Sequence, residues 1–186
     1  MMPTDLAAQL ALRARQGEGA RYDAPSAPAD DLILARRGTA YFARCLNELT
    51  DDDLYRPSGR TGFSRAYLVA EISYAARHQA MALTALGGSS AAVTAGEEPV
   101  FPSPELAATL PARALRFLFH HAEVHLNVCW RDLSDSDWDR EVSLPAGRTL
   151  PARSLPLLRA RELWYGAMEL GGGSRLKDMP PRLSED

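Results

Sequence analysis

Two glutamates stand where a glutamate is costly. Glu71 interrupts the apolar run Tyr67-Leu-Val-Ala-Glu-Ile, and Glu162 lies inside Leu157-Leu-Arg-Ala-Arg-Glu-Leu-Trp-Tyr. An ionised carboxylate is expensive to bury alone, so each needs a cation, a metal or a raised pKa. Arg65, Arg77, Arg159 and Arg161 are the nearby candidates for structural ion pairs. Acid–base chemistry is the other reading of the same two positions. Of the four histidines, His78 is isolated and His120, His121 and His125 cluster. His121 and His125 are one helical turn apart and can share a face. They read either as a metal-ligating pair or as a polar edge beside the apolar stripe Leu118, Ala122, Cys129. Cys129 lies on that stripe next to Trp130, which suits a buried, inert thiol better than a nucleophile. Cys45 and Cys129 make no disulfide framework, and Cys-x-x-Cys is absent. The sequence also lacks a Gly-x-Ser-x-Gly elbow, a phosphate-binding loop, a dinucleotide fingerprint and a Cys/His zinc spacing.

The elements that must position these groups are helical. With 186 residues, 46% hydrophobic and 24% charged, the chain has the composition of one globular domain. Its net charge of −3 argues against a broad nucleic-acid surface. No apolar run is long enough to span a membrane, and no secretory leader is evident, so a cytoplasmic protein is expected.

Thr4 can cap a short helix over 5–16, followed by a Gly/Ala/Pro loop, so residues 1–29 read as an N-terminal extension. Asp30 or Asp31 opens the first main helix, with Leu34, Tyr41, Phe42, Cys45 and Leu49 near one face. Residues 50–62 read as a polar turn. Ser64 caps a second helix that runs to about Leu86. After a loop over 87–104, a third helix runs to about Leu133 with a break near Pro111. A short β-hairpin is expected from Trp138–Leu144 and Thr149–Leu150. The fourth helix covers about 156–170 and stops at Gly171-Gly172-Gly173. Residues 30–173 therefore predict an all-α four-helix bundle, with 174–186 as a tail.

Several stretches resemble one bacterial family. Gly62-Phe-Ser-Arg-Ala-Tyr-Leu-Val-Ala-Glu-Ile-Ser is similar to the pattern G-W-T-R-x-H-V-x-A-H-V. Gly96-Glu-Glu-Pro-Val-Phe-Pro-Ser is similar to G-x-E-T-P-M-Y-x-S, and Arg159-Ala-Arg-Glu-Leu-Trp-Tyr-Gly-Ala-Met-Glu-Leu to R-x-R-E-V-W-x-H-A-V-D-L. Ala122-Glu-Val-His-Leu-Asn-Val-Cys-Trp and Asp178-Met-Pro-Pro extend the match to about residues 10–185. These patterns resemble the mycothiol-dependent maleylpyruvate isomerases of the DinB-like superfamily, in their N-terminal domain. The resemblance implies a DinB-like four-helix bundle. It also implies a divalent metal, zinc, on one His of the second helix and a Glu-x-x-x-His of the fourth, with mycothiol as the thiol cofactor. Those three ligand positions are Glu71, Glu162 and Gly166 in this chain. Two ligands are changed, and one of these has no side chain at all.

The expectation that follows is a repurposed, metal-independent enzyme acting on a small molecule. Glu71 and Glu162 would meet at the former metal position. Repulsion would keep one protonated, giving an acid and a base for isomerisation or cyclisation. Gly166 would enlarge the pocket, and Tyr67, His125, Trp164 and Tyr165 would bind or orient the substrate. A homodimer is one candidate assembly, and the sequence does not fix the oligomeric state. The alternatives are a mycothiol-dependent, metal-assisted isomerase or thiol transferase, and a non-catalytic binding protein.

Overall fold

The computed structural model describes residues 22–86 and 101–184. The helix expected over 5–16 and most of the 87–104 loop lie outside these residues.

Helix α1 (Ala29–Glu48) opens with Asp30 and Asp31 in its first turn, where carboxylates complement the helix dipole. It buries Leu32, Ala35, Phe42, Cys45 and Leu46. A short α2 (Asp51–Leu54) follows, where a polar turn was expected. Its start is a capping box. Thr50 Oγ1 accepts from Asp53 N, and the Asp53 carboxylate accepts from Thr50 N.

Helix α3 (Arg65–Leu86) is capped as expected by Ser64, whose Oγ accepts from Tyr67 N at 3.1 Å. A one-turn α4 (Pro104–Ala107) and the long α5 (Ala112–Asp132) are separated at Pro111. The expected break is therefore present. Strands β1 (Glu141–Leu144) and β2 (Arg148–Pro151) form an antiparallel ribbon with Val142 opposite Leu150. Trp138 precedes the ribbon in a 3-10 turn and is fully buried, rather than opening the first strand. Pro151 ends β2, where its missing N–H costs the ribbon nothing. Helix α6 (Leu155–Leu170) and a short α7 (Pro181–Ser184) complete the chain.

Helices α1, α3, α5 and α6 form the bundle, with α1 packed chiefly on α6 and α3 on α5. One part of the core gathers Trp130, Trp138 and Trp164 around Leu126 and Leu155. The other gathers Phe42, Phe119, Ile72 and Leu163. Fully burying one such Leu contributes about 2 kcal/mol.

The stop after α6 has a steric cause. Gly172 has φ +57°, and a Cβ there would stand 2.3 Å from the Cys45 carbonyl oxygen. Only glycine lets the turn lie against α1. Among the described residues no helix is long and apolar enough to cross a membrane.

Candidate functional site

Glu71 is half-buried on α3, and its Oε2 accepts from Arg60 Nη1 at 2.7 Å. Arg60 also donates through Nη2 and Nε to Glu169 Oε2, at 2.7 and 3.1 Å. Arg60 belongs to the turn before α3. That turn is pinned by a Pro57–Ser64 bridge and by Gly59 N donating to the Glu169 carbonyl at 2.6 Å. One guanidinium thus joins α3 to the end of α6. The hydrogen bond to Glu169 is the main reason its pKa rises above the ordinary arginine value.

Glu162 has different partners. Its Oε2 accepts from Arg159 Nη1 at 2.8 Å, and Gln79 Nε2 lies 3.1 and 3.3 Å from its two oxygens. Arg159 is fully buried and also donates through Nη2 to Glu123, which accepts from Thr39 Oγ1 at 2.8 Å. Burial works against the charge on Arg159. Glu123 and Glu162 outweigh it, and the pKa stands above its ordinary value. Gln79 is eight residues beyond Glu71, about 12 Å of helical rise. Each carboxylate therefore has its own arginine, where mutual repulsion between the two was expected.

Gly166 is buried, and the room left by its missing side chain is occupied. A Cβ there would meet Ile72 Cδ1 at 2.2 Å and Phe42 Cε2 at 3.5 Å. The expected enlargement of the pocket at this position is corrected: the neighbouring core side chain fills it.

The other expected pocket residues are dispersed. Trp164 is buried against α1, stacked on Tyr41 at 4.5 Å, and its indole N–H donates to the Leu34 carbonyl at 3.4 Å. Tyr165 is exposed and donates to the Leu183 carbonyl at 2.8 Å. His125 is on the outer face of α5, 6.5 Å from His121 between ring centroids. Partial desolvation, then His121 and Arg77, hold its pKa below the ordinary histidine value. Tyr67 packs on Phe63 at 4.4 Å; burial first, then Glu71 and Glu105, raise its pKa.

A cleft of about 340 Å³ opens beside Glu71. Its floor is Glu71, Tyr74, Ala75 and His78 of α3, and its wall is residues 101–104. The spacing of 3, 1 and 3 residues places the four on one helix face. Phe101 stacks on Tyr74 at 5.3 Å and meets His78 edge-on at 5.0 Å. Arg77 lies over the Phe101 ring at 4.4 Å. Tyr74 and Phe101 were not singled out from the sequence. The signal was present in the helical spacing from Glu71 and in the quoted Val-Phe-Pro-Ser segment.

The inherited ligand positions do not fit zinc. Glu71 and Glu162 are engaged by arginines, position 166 has no donor, and Ile72 fills the space where a side chain there would lie. Zinc sites are built from about three protein ligands, mostly nitrogen and sulfur. Among the described residues no group of three or more His, Cys, Asp or Glu side chains could hold a metal ion.

No curated protein matches the chain. Two solved structures resemble it: the mycothiol-dependent maleylpyruvate isomerase, and a histidine-to-alanine mutant of it. Each is 31% identical with a TM-score of 0.72, and each match covers 83% of this chain and 65% of the other. This chain thus spans less than two thirds of those proteins. Residues 35–169 match the mycothiol maleylpyruvate isomerase N-terminal domain. With the bundle and the sequence match in agreement, the chain belongs to the family of mycothiol maleylpyruvate isomerase N-terminal domains, on a DinB-like fold.

Proposed function

We propose that the chain is a small-molecule enzyme working by acid–base chemistry without a bound metal, at the cleft beside Glu71. The observation that carries this reading is the position of Glu71. It corresponds by resemblance to the family's metal-ligating histidine, yet it is a carboxylate that borders a cleft and is held by Arg60. A carboxylate fixed by a guanidinium can accept a proton from a bound substrate and return it to a neighbouring carbon. That is the chemistry of an isomerisation or a cyclisation. His78, across the same helix face, is the second proton-transferring group of the proposal. Glu162 is assigned a positioning role: it holds Gln79 of α3 and the buried Arg159 of α6 together, outside the cleft lining. Tyr67 borders the Glu71 region, whereas Trp164 is buried against α1 and Tyr165 and His125 are exposed outside the cleft lining.

The family match favours one further reading, a mycothiol-dependent isomerase or thiol transferase. One experiment separates the two. Chelator-treated protein is incubated in D2O with a panel of small enones and ketones that carry an amine, a carboxylate or neither, maleylpyruvate included, with and without mycothiol. Proton NMR follows isomerisation and deuterium uptake. The proposal expects turnover that is independent of thiol and chelator, and that falls by about 10²–10⁴ in Glu71→Gln. Turnover that requires mycothiol or added zinc supports the other reading.

A further inference from the structure

We propose that this cleft takes a cationic small molecule, with the ligand's ammonium on Glu71 and its apolar body against Tyr74 and Phe101. The inference rests on the reading of the cleft as the reaction site.

Charge is the first argument. Among the described residues that line the cleft, Glu71 is the one carboxylate or guanidinium side chain, and His78 is the other titratable group on the α3 face. Its neighbour Arg60 is shared with Glu169, so two carboxylates face one guanidinium. Arg77 lies over the Phe101 ring and does not line the cleft. The same excess recurs deeper in the bundle, where Arg159 serves both Glu123 and Glu162. A carboxylate ligand entering here meets like charge, and an amine meets its complement.

The second argument concerns hydrogen-bond donors. An anion needs N–H or O–H groups pointed at it. Pro102 and Pro104 have no backbone N–H to give. The Ser103 hydroxyl accepts from Leu106 N as the cap of α4 and keeps its own hydrogen to donate. Two of the four wall residues thus offer an anion no backbone donor. Tyr74 and Phe101 stack on each other, with Arg77 over the Phe101 ring, so the rings give a ligand's apolar body a wall and leave its charge to Glu71.

Two probes of nearly equal shape test this on the full chain: phenethylamine and 3-phenylpropanoate, titrated by isothermal calorimetry at neutral pH. The amine is expected to bind at least tenfold more tightly than the carboxylate. Glu71→Gln is expected to weaken the amine at least tenfold. Glu48→Gln, which removes an exposed carboxylate that is paired with Arg44 and does not line the cleft, is expected to leave it unchanged. Circular dichroism and thermal unfolding confirm that each variant is folded. Ala75→Trp fills the cleft floor and provides a second variant that must lose amine binding. The proposal is overturned if the carboxylate binds as well as the amine, if the amine shows no saturable binding, or if amine binding survives Glu71→Gln. Failure here leaves the catalytic reading standing for a neutral substrate. Amine binding without turnover of any panel compound leaves a cation-binding protein and removes the catalytic reading.

Discussion

Ile72 and Gly166 share one space. The Ile72 methyl Cδ1 lies 2.2 Å from where a Cβ on Gly166 would stand, with Phe42 closing the other side. The loss of a side chain on α6 is matched by a core side chain from α3. Restoring the family's histidine at this position therefore requires making room as well as supplying a ligand.

Gly166→His alone should destabilise the bundle by about 1–3 kcal/mol, the range for overpacking a filled core. Urea unfolding measures it. Adding Ile72→Ala should recover part of that loss, because the clashing methyl is removed. An unchanged midpoint in the single variant would show that the side chain of Ile72 moves aside without cost.

The zinc consequence follows from the same contact. Glu71→His with Gly166→His restores histidine at the two changed ligand positions, but Ile72 and the Arg159–Glu162 ion pair stand against a tetrahedral site. The triple variant that includes Ile72→Ala should bind zinc more tightly than the double variant, with affinity falling at acid pH as the histidines protonate. Calorimetric titration of both variants checks the order.

Arg159 is the most demanding residue of the core. It is fully buried between Glu123 and Glu162. Arg159→Met should cost about 3–5 kcal/mol, because Glu123 is left as an unpaired buried anion. Adding Glu123→Gln should return a large part of this by removing the stranded charge. Equal stability of the single and double variants in urea would contradict the pairing.

Acid should weaken the fold through two aspartates. The Ser134 side chain and backbone N–H bond Asp137, and the Tyr41 hydroxyl bonds Asp178, so both carboxyls titrate below the ordinary range. Their folded pKa values lie below their unfolded ones. Their stabilisation is complete above the ordinary carboxylate value and is lost as pH falls through the depressed values. Thermal unfolding from pH 7 down to pH 3 should show this loss. Asp137→Asn should lower Tm at neutral pH and reduce the acid dependence.

The bundle was legible because its boundaries have local causes. Ser64 caps, Pro111 interrupts and Gly171 to Gly173 stop their helices wherever they are read. The α2 capping box was equally local, yet the run Thr-Asp-Asp-Asp reads as a polar turn unless the Thr50–Asp53 spacing is noticed. Arg159 could be named as a partner of Glu162 because they lie three residues apart on one helix. Arg60 could not be named for Glu71, since the pair depends on how the 57–64 turn docks against Glu169. The filled space at Gly166 was hidden for a similar reason. A missing side chain is visible in sequence, and the neighbour that takes its room is not.

The account turns on whether this member of the family has given up the family's metal. Zinc titration of the chelator-treated full chain by calorimetry, with elemental analysis of untreated protein, tests that most directly. The account predicts well below one equivalent of bound zinc and no stoichiometric site, with thermal stability unchanged by chelator. A tight one-to-one zinc site that is lost in Glu162→Gln would contradict it.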